Sequence, residues 1–193
     1  MTDTKFDMAR LPNLLTYGRI AAIPVIMLFF LADNGPLRWL ALLLYIAAAV
    51  TDFFDGYFAR KYGSVSPIGR MLDPIADKLL VGALLLVFCF DGSFGVWDLI
   101  PATIILLREI FVSGLREFMG TEKITVPVSK LAKYKTSVQL VALGVIIAEP
   151  LIPGMREVSD ILLWLAAALT AITGWQYWSG VSVHMARDED DSL

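Results

Sequence analysis

Four aspartates crowd into 26 residues of this chain, in the stretch "TDFFDGYFARKYGSVSPIGRMLDPIAD". Asp52 and Asp55 are three residues apart and Asp73 and Asp77 four apart, spacings that put each pair on one face of a helix. Two carboxylates about 5 Å apart repel by ~3 kcal/mol at an effective dielectric of 20, so four together call for cations. An all-oxygen ligand set suits hard divalent ions, Mg²⁺ or Mn²⁺. Two ions held by four aspartates are nearly neutral and attract phosphate. The chemistry indicated is metal-assisted work on a phosphate ester.

The elements that must carry these acids are apolar. The chain has 193 residues, of which 57% are hydrophobic, and its mean hydropathy is +0.67. Soluble domains are about 45–50% apolar, so a membrane protein is indicated. Six apolar segments stand out, at 14–32, 37–59, 70–90, 96–119, 138–151 and 161–183. A spanning helix needs about 20 residues, and the expected fold is an all-α integral membrane domain of six transmembrane helices, residues 1–193. A short interfacial helix over "KFDMARLPNLL" is compatible with Lys5 and Arg10 beside Phe6, Met8 and Leu11. The acidic opening lacks the marks of a cleavable signal.

Basic residues set the expected orientation. Lys5 and Arg10 precede the first span, and Arg60, Lys61 and Arg70 flank the second connection. Lys123, Lys130, Lys133 and Lys135 fill the fourth. The other connections carry only Arg38 and Arg156. Both termini and connections two and four, the second carrying the aspartates at its flanks, are therefore expected on the cytoplasmic side. Gly63, Ser64, Ser66 and Pro67 break the second connection, making its two helices neighbours. If the second span ends near Arg60, Asp52 lies about 12 Å inside it, where ionisable groups are costly and usually functional.

A net charge of −3 points to no nucleic-acid partner. The single cysteine, Cys89, excludes an intrachain disulfide and is expected to be buried packing within "LLVGALLLVFCF". Arg108 within an otherwise apolar span is expensive unless it meets an anion. Arg116 follows two turns later, and Lys133 and Lys135 come from the next connection. Guanidinium forks bind phosphate bidentately, so this group suits a phosphorylated substrate. For Lys123 and Lys130, contact with anionic lipid is the better reading.

The aspartate stretch spells D-x₂-D-G-x₂-A-R-x₈-G-x₃-D-x₃-D, filled by Asp52, Asp55, Gly56, Ala59, Arg60, Gly69, Asp73 and Asp77. This resembles the signature of the CDP-alcohol phosphotransferases, membrane enzymes of phospholipid head-group synthesis. The resemblance implies a CDP-linked lipid as donor, an acceptor hydroxyl that attacks the phosphorus bearing the lipid, and CMP as leaving group. It also implies that Asp52, Asp55, Asp73 and Asp77 hold two Mg²⁺ or Mn²⁺ ions, with Asp77 as general base. Gly56, Ala59, Arg60 and Gly69 would line the CDP-lipid site, with Ser66 from the connecting loop.

"LPNLLTYGRI" resembles the family's entry to its first helix, which adds Asn13 and Thr16 to the donor site; a plain helix start is the competing reading. "LREIFVSGLREFMG" and "VSKLAKYKTSVQLVAL" resemble a branch of bacterial enzymes that take sn-glycerol 3-phosphate as acceptor. Arg108, Arg116, Lys133 and Lys135 would then bind the acceptor phosphate. The donor would be CDP-diacylglycerol, and the resemblance also implies a homodimer among membrane lipids. Another acceptor, such as inositol phosphate or a free alcohol, stays open. So does a divalent cation transporter, although transporters commonly place acids in both halves of an internal repeat and these four aspartates all lie in the first half.

Overall fold

The computed structural model describes residues 11–32, 34–62, 67–121 and 130–191. Side chains are described within these except at 11–13, 52–62, 67, 70, 130 and 186–191. Six α-helices follow one another: α1 (Leu11–Leu31), α2 (Gly35–Tyr62), α3 (Pro67–Asp91), α4 (Leu99–Thr121), α5 (Lys130–Ala148) and α6 (Arg156–Asp191). Single 3₁₀ turns at Val96–Asp98 and Glu149–Leu151 lead into α4 and out of α5. No strand occurs among the described residues. The all-α membrane fold expected from the apolar segments is the fold observed.

Among the described residues three stretches are long and apolar enough to cross a membrane unaided, Leu14–Leu31, Leu131–Leu151 and Arg156–Met185. The apolar part of α2 is shorter, Gly35–Thr51, because the helix continues into the aspartate stretch. Charged residues likewise interrupt α3 at Asp73, Asp77 and Lys78, and α4 at Arg108, Glu109, Arg116 and Glu117. The expected interfacial helix falls mainly on residues 1–10, outside the described residues.

The helices sort into two compact units, one of residues 1–91 with 147–153, the other of 92–146 with 154–193. In the first, α1 packs against both α2 and α3. Its buried stripe is Thr16, Arg19, Ile23, Ile26 and Phe30, a three-four spacing that keeps one face inward. Ala41, Leu42, Tyr45 and Ala48 of α2 and Ala76, Leu80, Leu84 and Phe88 of α3 are also buried. Phe30 meets Phe88 edge to face, ring centroids 5.4 Å apart. The Arg38 guanidinium sits 4.2 Å above the Phe30 ring and donates to Asp91 at 2.8 Å. That clasp ties the start of α2 to the end of α3.

In the second unit α4 packs along α6. The inward stripe of α6 is Ser159, Leu163, Ala166, Thr170, Thr173, Tyr177 and Val181. Small residues along it allow close helix approach, which stands in for the hydrophobic effect that lipid cannot supply. Val112 and Met119 of α4 meet Tyr177 and Val181 at one end. At the other, Arg156 donates to Asp98 and to the Ser93 carbonyl, and the Gly95 amide donates to Asp98 at 2.8 Å.

Outward surfaces are apolar, with Leu28, Leu86, Phe90, Leu107, Ile161 and Trp175 all exposed. Cys89 belongs to this outward set rather than to the core expected for it. It neighbours Phe90, and on a lipid-facing helix an apolar run gives no sign of which side is buried.

Candidate active site

The four aspartates divide between two helices of the first unit. Asp52 and Asp55 lie on the last turns of α2, together with Gly56, Ala59 and Arg60; their side chains fall outside the described residues. Asp73 and Asp77 lie on the opening turns of α3, where Gly69 is buried. Pro67 opens that helix, where its fixed φ and missing amide hydrogen cost nothing. Pro74 sits between the two acids and Lys78 donates to its carbonyl at 2.5 Å. Ser66 lies outside the described residues, and Asn13 is in the first turn of α1 with its side chain outside them.

The third contributor is α1, which the spacing of the acids alone does not reveal. Thr16, almost fully buried, donates from its hydroxyl to an Asp73 carboxylate oxygen at 2.6 Å. Arg19, one turn further on, donates to Asp77 at 3.0 Å. Thr16, expected at the donor site, therefore touches a carboxylate of the aspartate signature in this structure. An i, i+3 pair on α1 thus faces an i, i+4 pair on α3, and both acids are held at one oxygen. Asp77 remains half exposed, while Arg19 is buried beneath it.

The basic group lies in the second unit. Arg108 projects toward α6, donating to the Thr173 hydroxyl at 3.2 Å. Its chain runs over Gly174, where an added Cβ would come within 2.9 Å of the arginine Cγ. Its buried Nε has no hydrogen-bond partner among the described residues. Beside it, Glu109 of α4 accepts from the Lys135 ammonium and lies 3.9 Å from an Arg108 nitrogen. Gln139, one turn beyond Lys135, also hydrogen-bonds Glu109, and its own Oε1 is buried without a partner among the described residues. Arg116 lies two turns along α4 with its guanidinium 5.4 Å from the Tyr177 ring.

Two expectations for this group change. Lys133 and Lys135 do not come from a connection: α5 starts at Lys130, so both lie on its opening turns. The run "KLAKYK" is made of good helix formers, and its charges hid the helix from a reading based on apolar length. Lys135 is buried, whereas Lys133 is exposed and makes no part of the Arg108–Glu109–Lys135 cluster. Glu109, Gln139, Thr173 and Gly174 went unrecognised in the sequence. The available signal was Glu109 itself, an acid within an apolar span that must find a buried cation.

Among the described residues no group of three or more acids, histidines or cysteines gathers as a metal site. Asp73 and Asp77 nevertheless present carboxylate oxygens one turn apart, and Asp77 keeps about half its surface open. This hard-oxygen donor set fits Mg²⁺ or Mn²⁺.

Comparison with known proteins accords with these features. The family model for CDP-alcohol phosphatidyltransferase matches residues 9–172. A CDP-diacylglycerol–glycerol-3-phosphate 3-phosphatidyltransferase of Rickettsia typhi is 47% identical over 180 residues, 92% of this chain and 99% of the relative. Proteins with the same name from Cereibacter sphaeroides and Bacillus subtilis are 40% and 36% identical, covering 87% and 89% of this chain and 93% and 95% of their own. The chain belongs to the CDP-alcohol phosphatidyltransferase family. It is a membrane-embedded transferase of a family that generally depends on divalent metal.

Proposed function

We propose that this protein transfers the phosphatidyl group of CDP-diacylglycerol to sn-glycerol 3-phosphate, giving phosphatidylglycerophosphate and CMP. The observation that carries this reading is the aspartate signature on α2 and α3 within a chain so similar to transferases of that name. The match to the family model runs through both units, which supports one catalytic domain.

Asp52, Asp55, Asp73 and Asp77 would hold two Mg²⁺ or Mn²⁺ ions. When bound, these supply charge neutralisation of the diphosphate and stabilisation of the leaving oxygen. Arg60, Gly56, Ala59, Gly69, Ser66 and Asn13 bind the CDP moiety, the glycines leaving room for it. Thr16 holds Asp73 and Arg19 holds Asp77. Asp77 takes the proton of the acceptor hydroxyl as its oxygen attacks the phosphorus. A new P–O bond to the acceptor forms, the bond to CMP breaks, and CMP departs with the electron pair.

Arg108, Arg116 and Lys135 bind the acceptor phosphate, with Lys133 an outlying contact. The buried Arg108 Nε, without an acceptor among the described residues, supports this role, since a donor kept dry without an acceptor is costly. The surplus of lysine and arginine at the aspartate-bearing end supports a site facing the cytoplasm, with both termini on that side of the inner membrane. The protein acts as a homodimer in this reading.

The test is CMP release by purified protein in lipid nanodiscs, given CDP-diacylglycerol, Mg²⁺ or Mn²⁺ and one acceptor at a time. Release with sn-glycerol 3-phosphate but not with glycerol, inositol phosphate or serine is expected. Release with another acceptor alone overturns the assignment. Metal flux into vesicles without CMP release would instead mark a transporter.

A further inference from the structure

We infer that Glu109 is a positioning residue for the acceptor, holding Lys135 and Arg108 in the arrangement that receives the phosphate. The inference rests on the acceptor assignment above and adds a residue to it. Glu109 gathers two donors and a further cation onto one carboxylate: the Lys135 ammonium and the Gln139 amide donate to it, and the Arg108 guanidinium stands 3.9 Å away. All three partners come from α4 and α5 within one unit, and Lys135 and Gln139 are almost wholly buried.

An ordinary buried ion pair uses up the hydrogen-bonding capacity of its members. This cluster does not. Among the described residues Arg108 keeps a buried Nε–H with no acceptor, packed over Gly174, and Gln139 keeps a buried Oε1 with no donor. A donor and an acceptor left over among the described residues match a phosphate ester that also carries hydroxyl groups. With Glu109 in place, Arg108, Lys135 and Arg116 leave a surplus of two positive charges, which suits a dianionic phosphate ester. Without it, Lys135 has a buried charge and no counter-charge, so its ammonium has no reason to stay where the phosphate binds.

The experiment compares Glu109→Gln, Glu109→Asp and Lys135→Met with the wild type in nanodiscs, measuring KM for each substrate separately. Glu109→Gln should raise KM for glycerol 3-phosphate at least tenfold and leave KM for CDP-diacylglycerol within twofold. Glu109→Asp, which keeps the charge on a shorter arm, should fall between. If Glu109→Gln does not fold, the Asp variant carries the same comparison. The Glu109→Gln/Lys135→Met double variant should be no better than Lys135→Met alone. Recovery of acceptor affinity in the double variant would mean a pair that only braces α4 against α5, and would overturn the inference. Equal shifts in both KM values would overturn it too. If Lys135→Met itself leaves KM for glycerol 3-phosphate unchanged, the acceptor assignment fails and this inference with it. If Lys135→Met raises that KM and the Glu109 variants do not, the inference alone fails.

Discussion

Asp73 and Asp77 differ in what holds them, and this separates their expected roles. Asp73 receives a buried hydroxyl, a neutral donor that leaves its charge available to a cation. Asp77 leans on Arg19 yet stays half open, which suits the general-base role proposed for it. Asp77→Asn is expected to cut kcat by about 10²–10⁴-fold, the usual worth of general base catalysis. CDP-diacylglycerol should still bind, which nucleotide-lipid binding to the variant checks. Thr16→Val removes the hydroxyl at nearly constant volume. A hydrogen bond to a charged group is worth about 1.5–3 kcal/mol, so the Mg²⁺ needed for half-maximal CMP release should rise about tenfold or more. An unchanged Mg²⁺ titration would mean that the Thr16 contact is packing alone. The acids themselves were legible because their spacing is local to two helices. Thr16 and Arg19 lie 57 and 58 residues before their partners, and no spacing rule reaches across that distance.

Helices were legible where apolarity was continuous and obscured where charge interrupted it. The first four segments match α1 to α4 to within three residues at each end, whereas α5 begins eight residues before the expected Val138 and α6 runs eight residues beyond the expected Val183. The charged opening of α5 reads as a loop until Glu109 supplies a partner for Lys135. By composition alone α6 is a generic apolar span, but its Thr173 and Gly174 seat the Arg108 side chain. Gly174→Ala would drive a methyl to 2.9 Å from Arg108 Cγ. Overpacking of this kind costs about 1–3 kcal/mol. The variant should melt at lower temperature in detergent and bind glycerol 3-phosphate more weakly. Gly114→Ala, where an added Cβ meets nothing within 4 Å, is the control and should do neither.

At the scale of the molecule, charge is sorted by use. Arg38 and Arg156, the two basic residues of the sparsely charged connections, are each tied to an acid, Asp91 and Asp98. Neutralised in that way, they weaken neither the orientation argument nor the apolar exterior. Chelation of divalent ions should abolish CMP release from nanodiscs, and Mg²⁺ or Mn²⁺ added back should restore it. Persistence of activity after exhaustive chelation would contradict the metal assignment of the four aspartates.

The length of α6 has a practical result. Its 36 residues run about 54 Å at 1.5 Å per residue, while the hydrocarbon core of a bilayer is only about 30 Å thick. The uninterrupted helix is longer than that core is thick, so its ends reach past the hydrocarbon, one of them carrying the acids of "DEDD". That acidic end is repelled by a membrane surface rich in anionic lipid. A reporter domain fused there would therefore read out which side of the membrane the end of α6 occupies.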